Sequence, residues 1–107
     1  MIPLNRQIKD VLKKSGLSEK EIEIFIILNK KGPQKGTEIA RLLKMNRGQV
    51  YRILKSLETK SFVEATLERP KMFIAVPLKG VIDSFIESKK EEVARIEISK
   101  RRQREEY

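Results

Sequence analysis

The stretch Thr37-Glu38-Ile39-Ala40-Arg41-Leu42-Leu43-Lys44-Met45-Asn46-Arg47-Gly48-Gln49-Val50-Tyr51-Arg52-Ile53-Leu54-Lys55-Ser56-Leu57-Glu58-Thr59 decides the fold. Thr37 suits the N-cap of a short helix over residues 38–43, with Ile39, Leu42 and Leu43 inward. Lys44-Met45 predicts a tight turn. Asn46, with Gln49 three residues on, is a capping signature for a second helix reaching about residue 59. Val50, Ile53, Leu54 and Leu57 are spaced 3, 1 and 3, which puts them on one helical face. A short helix, a tight turn and an amphipathic helix with a basic polar face make the sequence form of a helix-turn-helix.

Upstream, Leu4, Ile8, Val11 and Leu12 predict a helix over residues 4–14, stopped at Ser15-Gly16. Ser18-Glu19-Lys20-Glu21 is a capping box opening a second helix to about residue 29, with Ile22, Phe25, Ile26 and either Leu28 or Asn29 inward. Lys30-Lys31-Gly32-Pro33 breaks it. Downstream the helical period stops. Residues 62–67 and 71–76 suit two strands, with Glu68-Arg69-Pro70 as the turn. Phe25, Phe62, Met72 and Phe73 read as packing residues. After Pro77, a last helix from residue 78 to about 104 would reach about 40 Å. Ile82, Ile86, Lys89, Val93, Ile96 and Lys100 along it are spaced 4, 3, 4, 3 and 4, an imperfect heptad seam. The expected fold is therefore mainly α with a small β-hairpin wing. A winged helix-turn-helix fills residues 1–77 and a long C-terminal helix fills 78–107.

Composition narrows the function. The chain has 107 residues with no His and no Cys. Disulfides, thiolate metal sites and imidazole catalysis are thereby excluded. There is no Gly-rich phosphate loop, and Glu91-Glu92 reads as helix surface, so an enzyme is the weakest reading. No cofactor or metal is expected. The opening Met1-Ile2-Pro3-Leu4-Asn5-Arg6 has no signal-peptide form, and the longest apolar run covers only residues 24–28. A cytoplasmic protein without a membrane partner is the expectation. Net charge is +9, which favours a polyanionic partner. Residues 30–60 carry nine cations against two acids, while residues 87–107 are nearly balanced. The excess thus belongs to the helix-turn-helix rather than the tail.

If the apolar stripe of the second helix of that motif faces the core, then Arg47, Gly48, Gln49, Tyr51, Arg52, Lys55 and Ser56 lie outward or at its edges. Arg reads guanine and Gln reads adenine in a major groove, while Tyr or Ser reaches phosphate. Gln49 has a second use in the capping box, and Tyr51 stands evenly between packing and phosphate contact. Thr37 sits where a helix start offers N–H groups to phosphate. Arg69 and Lys71 flank the wing tip. Lys35 and Lys44 complete the expected DNA contacts. The candidate dimerisation residues are Ile82, Phe85, Ile86, Val93 and Ile96, because Val93 and Ile96 otherwise have nothing to cover them. The last helix could also pack on its own domain or be the stub of a missing one.

Gly16-Leu17-Ser18, Gly32-Pro33, Thr37-Glu38-Ile39-Ala40, Val50-Tyr51, Leu54-Lys55-Ser56-Leu57-Glu58, Phe62-Val63-Glu64 and Arg69-Pro70-Lys71 with Ala75-Val76-Pro77 resemble the DNA-binding domain of the TrmB family. The resemblance runs from about residue 17 to 77. It is sharpest at the Arg-Pro-Lys wing; other pieces are shared with MarR-like winged helices. It implies an archaeal-type transcriptional regulator, with Arg47, Gln49, Tyr51, Arg52 and Lys55 on the recognition helix and Arg69 and Lys71 on the wing. The family often carries glycine where this chain has Lys44 and Ser61, and a left-handed backbone there would cost on the order of 1 kcal/mol. Family members also carry a C-terminal effector domain, for which this length leaves no room, so no small-molecule effector is expected. The expected function is a sequence-specific regulator binding double-stranded DNA as a homodimer. A non-specific architectural nucleic-acid binder and a protein-interaction winged helix are the alternatives.

Overall fold

The structure, a computed structural model, describes residues 6–106 and the side chains of residues 6–102. Leu4 of the first helical face, residues 1–5 of the opening read for a signal peptide, and the side chains of Gln103 and Arg104 in the basic tail therefore lie outside what is described.

Helix α1 (Arg6–Lys14) ends where the Ser15 hydroxyl donates to the Val11 carbonyl and Gly16 takes φ +99°. Helix α2 (Glu19–Lys31) starts on the expected capping box. The Glu21 N–H donates to Ser18 Oγ at 3.3 Å, and the Ser18 N–H donates to Glu21 Oε1 at 3.0 Å. Its buried side is wider than the spacing implied. Ile22, Ile24, Phe25, Ile26 and Leu28 are all buried, and Ile24 is completely so. The reason is position: α2 is the central helix and is covered by neighbours on several sides.

Helix α3 (Gly36–Leu43) begins two residues earlier than expected. Lys35 holds the cap position with no side-chain bond, so Thr37 lies inside the first turn and is not the N-cap. Leu42, expected inward, is 47% exposed. The burial of Ile39 and Ala40 fixes the rotation of this short helix, and Leu42 falls on the solvent side. Lys44 then adopts φ +53°, ψ +44°, and the Met45 N–H closes onto the Ala40 carbonyl at 2.9 Å. Such a closure satisfies the last carbonyls of α3.

Helix α4 (Arg47–Thr59) is capped by Asn46, whose side chain accepts from the Gly48 N–H at 2.7 Å. The expected reciprocal bond from Gln49 is not part of this cap. With its carbonyl directed at the second residue of the helix, Asn46 makes a one-sided cap instead of a box. After Ser61, at φ +67°, the chain enters β1 (Val63–Ala65) and returns as β2 (Phe73–Ala75). The strands are antiparallel, with Val63 opposite Ala75 and Ala65 opposite Phe73. They are shorter than the predicted runs because Thr66 closes the hairpin early. Its N–H donates to the Met72 carbonyl, and its hydroxyl accepts from the Met72 N–H, both at 2.9 Å. Gln34 pairs with Phe73 across the other edge of β2, which ties the segment before α3 to the wing.

Phe25, Phe73, Leu12, Ile24, Ile39, Leu54, Leu57 and Val50 form the centre of the core. Each is worth roughly 1.5–3 kcal/mol of burial. The last helix, α5 (Leu78–Glu106), is anchored at its start by Asn29. The Asn29 Oδ1 accepts from the Leu78 N–H at 2.9 Å, while its Nδ2 donates to the Phe25 and Val76 carbonyls. An N–H at the start of α5 is thus satisfied by a side chain from α2. Beyond Phe85 every described side chain of α5 is exposed. The radius of gyration of 18.1 Å exceeds the roughly 13 Å of a compact chain this long.

Candidate nucleic-acid interface

Helix α4 shows its two sides clearly. Val50, Leu54 and Leu57 are buried and Ile53 is half-buried. Arg47, Gln49, Arg52 and Lys55 are exposed on the other side. Since Gln49 is not used in the cap, its amide is available for other partners. No acid lies in the first turn of α4. Lys44 is exposed at the entry to this helix, and Lys35 and Thr37 are half-buried at the start of α3.

Tyr51 has a defined packing role. Its ring meets Phe73 edge-on, with centroids 6.0 Å apart. It also lies over Gly36 so closely that a Cβ there would fall 2.6 Å from Tyr51 Cζ. The ring is still 42% exposed, so packing does not withdraw it from the surface. Lys71 places its ammonium 5.4 Å from the same Phe73 ring, a cation–π contact. Phe73 therefore couples the middle of α4 to the wing. Arg69 is exposed on the wing beside it.

Two polar residues near α4 are committed elsewhere. Ser56 donates its hydroxyl to Glu21 Oε2 at 2.9 Å. The Lys60 ammonium lies 2.7 Å from Glu21 Oε1 and donates to the Gly16 carbonyl, also at 2.7 Å. Burial pushes the Glu21 carboxyl up; the hydrogen bonds from Lys60, the Ser18 N–H and Ser56 outweigh it and hold the group at about 2. Glu21 is thus charged in the fold, and it answers one of the nine cations of residues 30–60. Of the eight cations that remain there, Lys35, Lys44, Arg47, Arg52 and Lys55 lie at the start of α3, in the α3–α4 turn and on α4, with Arg69 and Lys71 on the wing.

Sequence reasoning left out Lys20. It stands in the first turn of α2 and lines a cleft with Lys44 and Arg52. No local pattern could have found it, because its neighbours in the cleft come from a distant part of the chain.

The proposed dimer residues divide along α5. Ile82 packs against the domain's own core, and Phe85 is half-buried beside it. Ile86, Val93 and Ile96 are 47%, 54% and 51% exposed. Ile98, which lies outside the seam spacing, is exposed as well. Among the described residues no helix is long and apolar enough to cross a membrane. Nor do three or more Asp or Glu side chains among them gather where a metal could sit.

Comparison with known proteins gives this geometry a family. A family model described as the sugar-specific transcriptional regulator TrmB matches residues 12–79. The HTH-type sugar sensing transcriptional regulator TrmBL1 of Pyrococcus furiosus is 27% identical over 93 residues. That match covers 87% of this chain but only 27% of TrmBL1, so the chain spans about a quarter of its relative. Among solved structures, TrmBL2, described as an archaeal chromatin protein with a novel mode of DNA binding, superimposes with a TM-score of 0.68 at 22% identity. The match takes in 97% of this chain and 41% of TrmBL2. A transcriptional regulator of Thermotoga maritima gives 0.62 at 22% identity, over 83% of this chain and 66% of that one. A MarR-like regulator of the same organism gives 0.57 at 24% identity, over 88% and 68% of the two chains. These structural likenesses speak for the fold. With a helix-turn-helix, a wing and a family model matched across well over half of its length, the chain belongs to the TrmB family of winged-helix transcriptional regulators.

Proposed function

We propose that the chain is a sequence-specific double-stranded DNA-binding regulator acting as a homodimer. Residues 1–77 form the DNA-binding unit and residues 78–107 the dimerisation arm. Helix α4 enters the major groove, and the wing lies on the adjacent backbone or in the minor groove. The observation that carries this is the exposed row of Arg47, Gln49, Arg52 and Lys55 on a helix whose opposite face is buried. Arg and Gln at that place have the bidentate donors and acceptors that base edges require. Lys35, Thr37, Lys44, Tyr51, Arg69 and Lys71 surround the row and suit phosphate contacts. Ile86, Val93 and Ile96 supply the exposed apolar side chains of the arm. Two recognition helices would then sit in successive major grooves about 34 Å apart.

The second reading is an architectural DNA binder without a preferred site, which the net charge of +9 and the likeness to a chromatin protein favour. Selection of bound duplexes from a random pool separates the two readings. A sequence-specific regulator enriches two related half-sites and keeps a preference of roughly 10³-fold or more over bulk DNA at physiological salt. Enrichment of no motif removes the sequence-specific reading. Loss of all affinity on replacing Arg47 and Arg52 with Ala supports α4 as the contact, whereas unchanged affinity removes it.

A further inference from the structure

A cleft of about 400 Å³ separates the first turn of α2 from the α3–α4 turn and the flank of α4. Three cations line it, Lys20, Lys44 and Arg52, together with Asn46 and Gln49 and the apolar side chains of Met45 and Ile53. No carboxylate is part of its wall. The Asn46 carbonyl is occupied by the Gly48 N–H, so its amide nitrogen remains to donate. Lys20 forms an ion pair with Glu23 at 3.6 Å, and both side chains are about half exposed. Ion pairs of that kind contribute little and exchange readily for a stronger anion. A concave wall of donors with no acceptor charge matches a phosphodiester, whose oxygens accept only.

We infer that this cleft takes a backbone phosphate of duplex DNA and that Lys20, from outside the helix-turn-helix, is one of its ligands. The inference rests on the DNA-binding reading above and deepens it. Arg52 joins the cleft to the outward row of α4, so a duplex seated on that row passes the cleft. The wing, with Arg69 and Lys71, comes from a different part of the fold. The duplex is then held by contacts from the cleft and from the wing, and α4 is fixed in rotation between them. Contacts of this type set register and carry no sequence information of their own.

The experiment measures affinity of the full chain for a mixed-sequence 30-base-pair duplex between 50 and 200 mM KCl. Lys20→Gln, Lys20→Arg, Lys9→Gln and Arg47→Ala are compared with the parent chain. Lys9 is an exposed lysine of α1 and controls for loss of charge alone. Lys20→Gln is expected to weaken binding on the order of 5-fold, and to lower the slope of log affinity against log salt by about 1. The loss should be equal on every duplex sequence, and Lys20→Arg should retain affinity. Thermal unfolding should be unchanged, since Lys20 is exposed. An unaltered slope in Lys20→Gln beside a weakened Arg47→Ala overturns the cleft and leaves the DNA reading standing. An equal loss in Lys9→Gln also overturns it, by assigning the effect to net charge. A parent chain that binds no duplex overturns both.

Discussion

The Lys60 ammonium lies 2.7 Å from Oε1 of Glu21, whose side chain is only 6% exposed. The carboxylate is thereby completed by three separate parts of the chain. Ser18 and its N–H cap α2, Ser56 reaches from α4, and Lys60 comes from the corner leading into the wing. A residue of the α2 capping box thus also fixes α4 against α2.

That relationship makes stability depend on acid. The Glu21 carboxyl titrates at about 2 in the fold against an ordinary 4.5. A group lowered on folding stabilises the native state above its unfolded value. Its contribution is lost as pH falls from 4.5 through 2. The loss attributable to Glu21 is about 3 kcal/mol at most. Urea unfolding of the parent chain and of Glu21→Gln at pH 7, 5, 4 and 3 measures it. The parent should lose its advantage over the variant as pH falls; a constant difference would show that Glu21 is not held in its charged form.

Gly36 is required by Tyr51. A methyl group at position 36 would displace the ring and with it the edge contact on Phe73. Gly36→Ala alone should therefore destabilise by about 1 kcal/mol, despite the better helix propensity of alanine. In a Tyr51→Ala background the same change should be neutral or stabilising. A double-mutant cycle reads the coupling directly, and additive effects would refute it.

Lys44 and Ser61 both hold left-handed backbone, at φ +53° and +67°. Lys44→Gly and Ser61→Gly should each stabilise by up to about 1 kcal/mol, less the greater freedom of glycine in the unfolded chain. Thermal unfolding checks this. For Lys44→Gly the two readouts should separate: higher stability, weaker DNA binding.

Charge placed along α5 should separate folding from association. Val93→Glu and Ile96→Glu alter exposed positions beyond the domain core. They should leave the unfolding transition in place and convert a dimer to monomer in light scattering. Ile82→Glu should instead unfold the domain, because Ile82 packs on the core. Unchanged mass in Val93→Glu and Ile96→Glu would remove α5 as the dimer contact.

Neighbours within a helical turn made the elements legible in the sequence. The 3, 1, 3 spacing of Val50, Ile53, Leu54 and Leu57 set the helix and its inward side, because both follow from local geometry. Ser18 and Glu21 announced the start of α2 for the same reason. The exposed row of Arg47, Gln49, Arg52 and Lys55 is the complement of that spacing. Lys44 and Ser61 stood out as non-glycine residues where the family often has glycine, and both take the positive φ.

Distant contacts were not legible. Leu42 has the polarity of a core residue, but the rotation of α3 was set by Ile39 and Ala40. Gln49 matched a capping box, but Asn46 turned to Gly48. Nothing local showed that Lys60 would be drawn to Glu21, that Tyr51 would lie over Gly36, or that Lys20 would meet Arg52. The sequence by itself determined which segments are helical and which face of each is apolar, since periodicity acts over a few residues. The tertiary structure alone decided which cations packing engages, as it does Lys60 at Glu21, since that depends on the side chains it brings together.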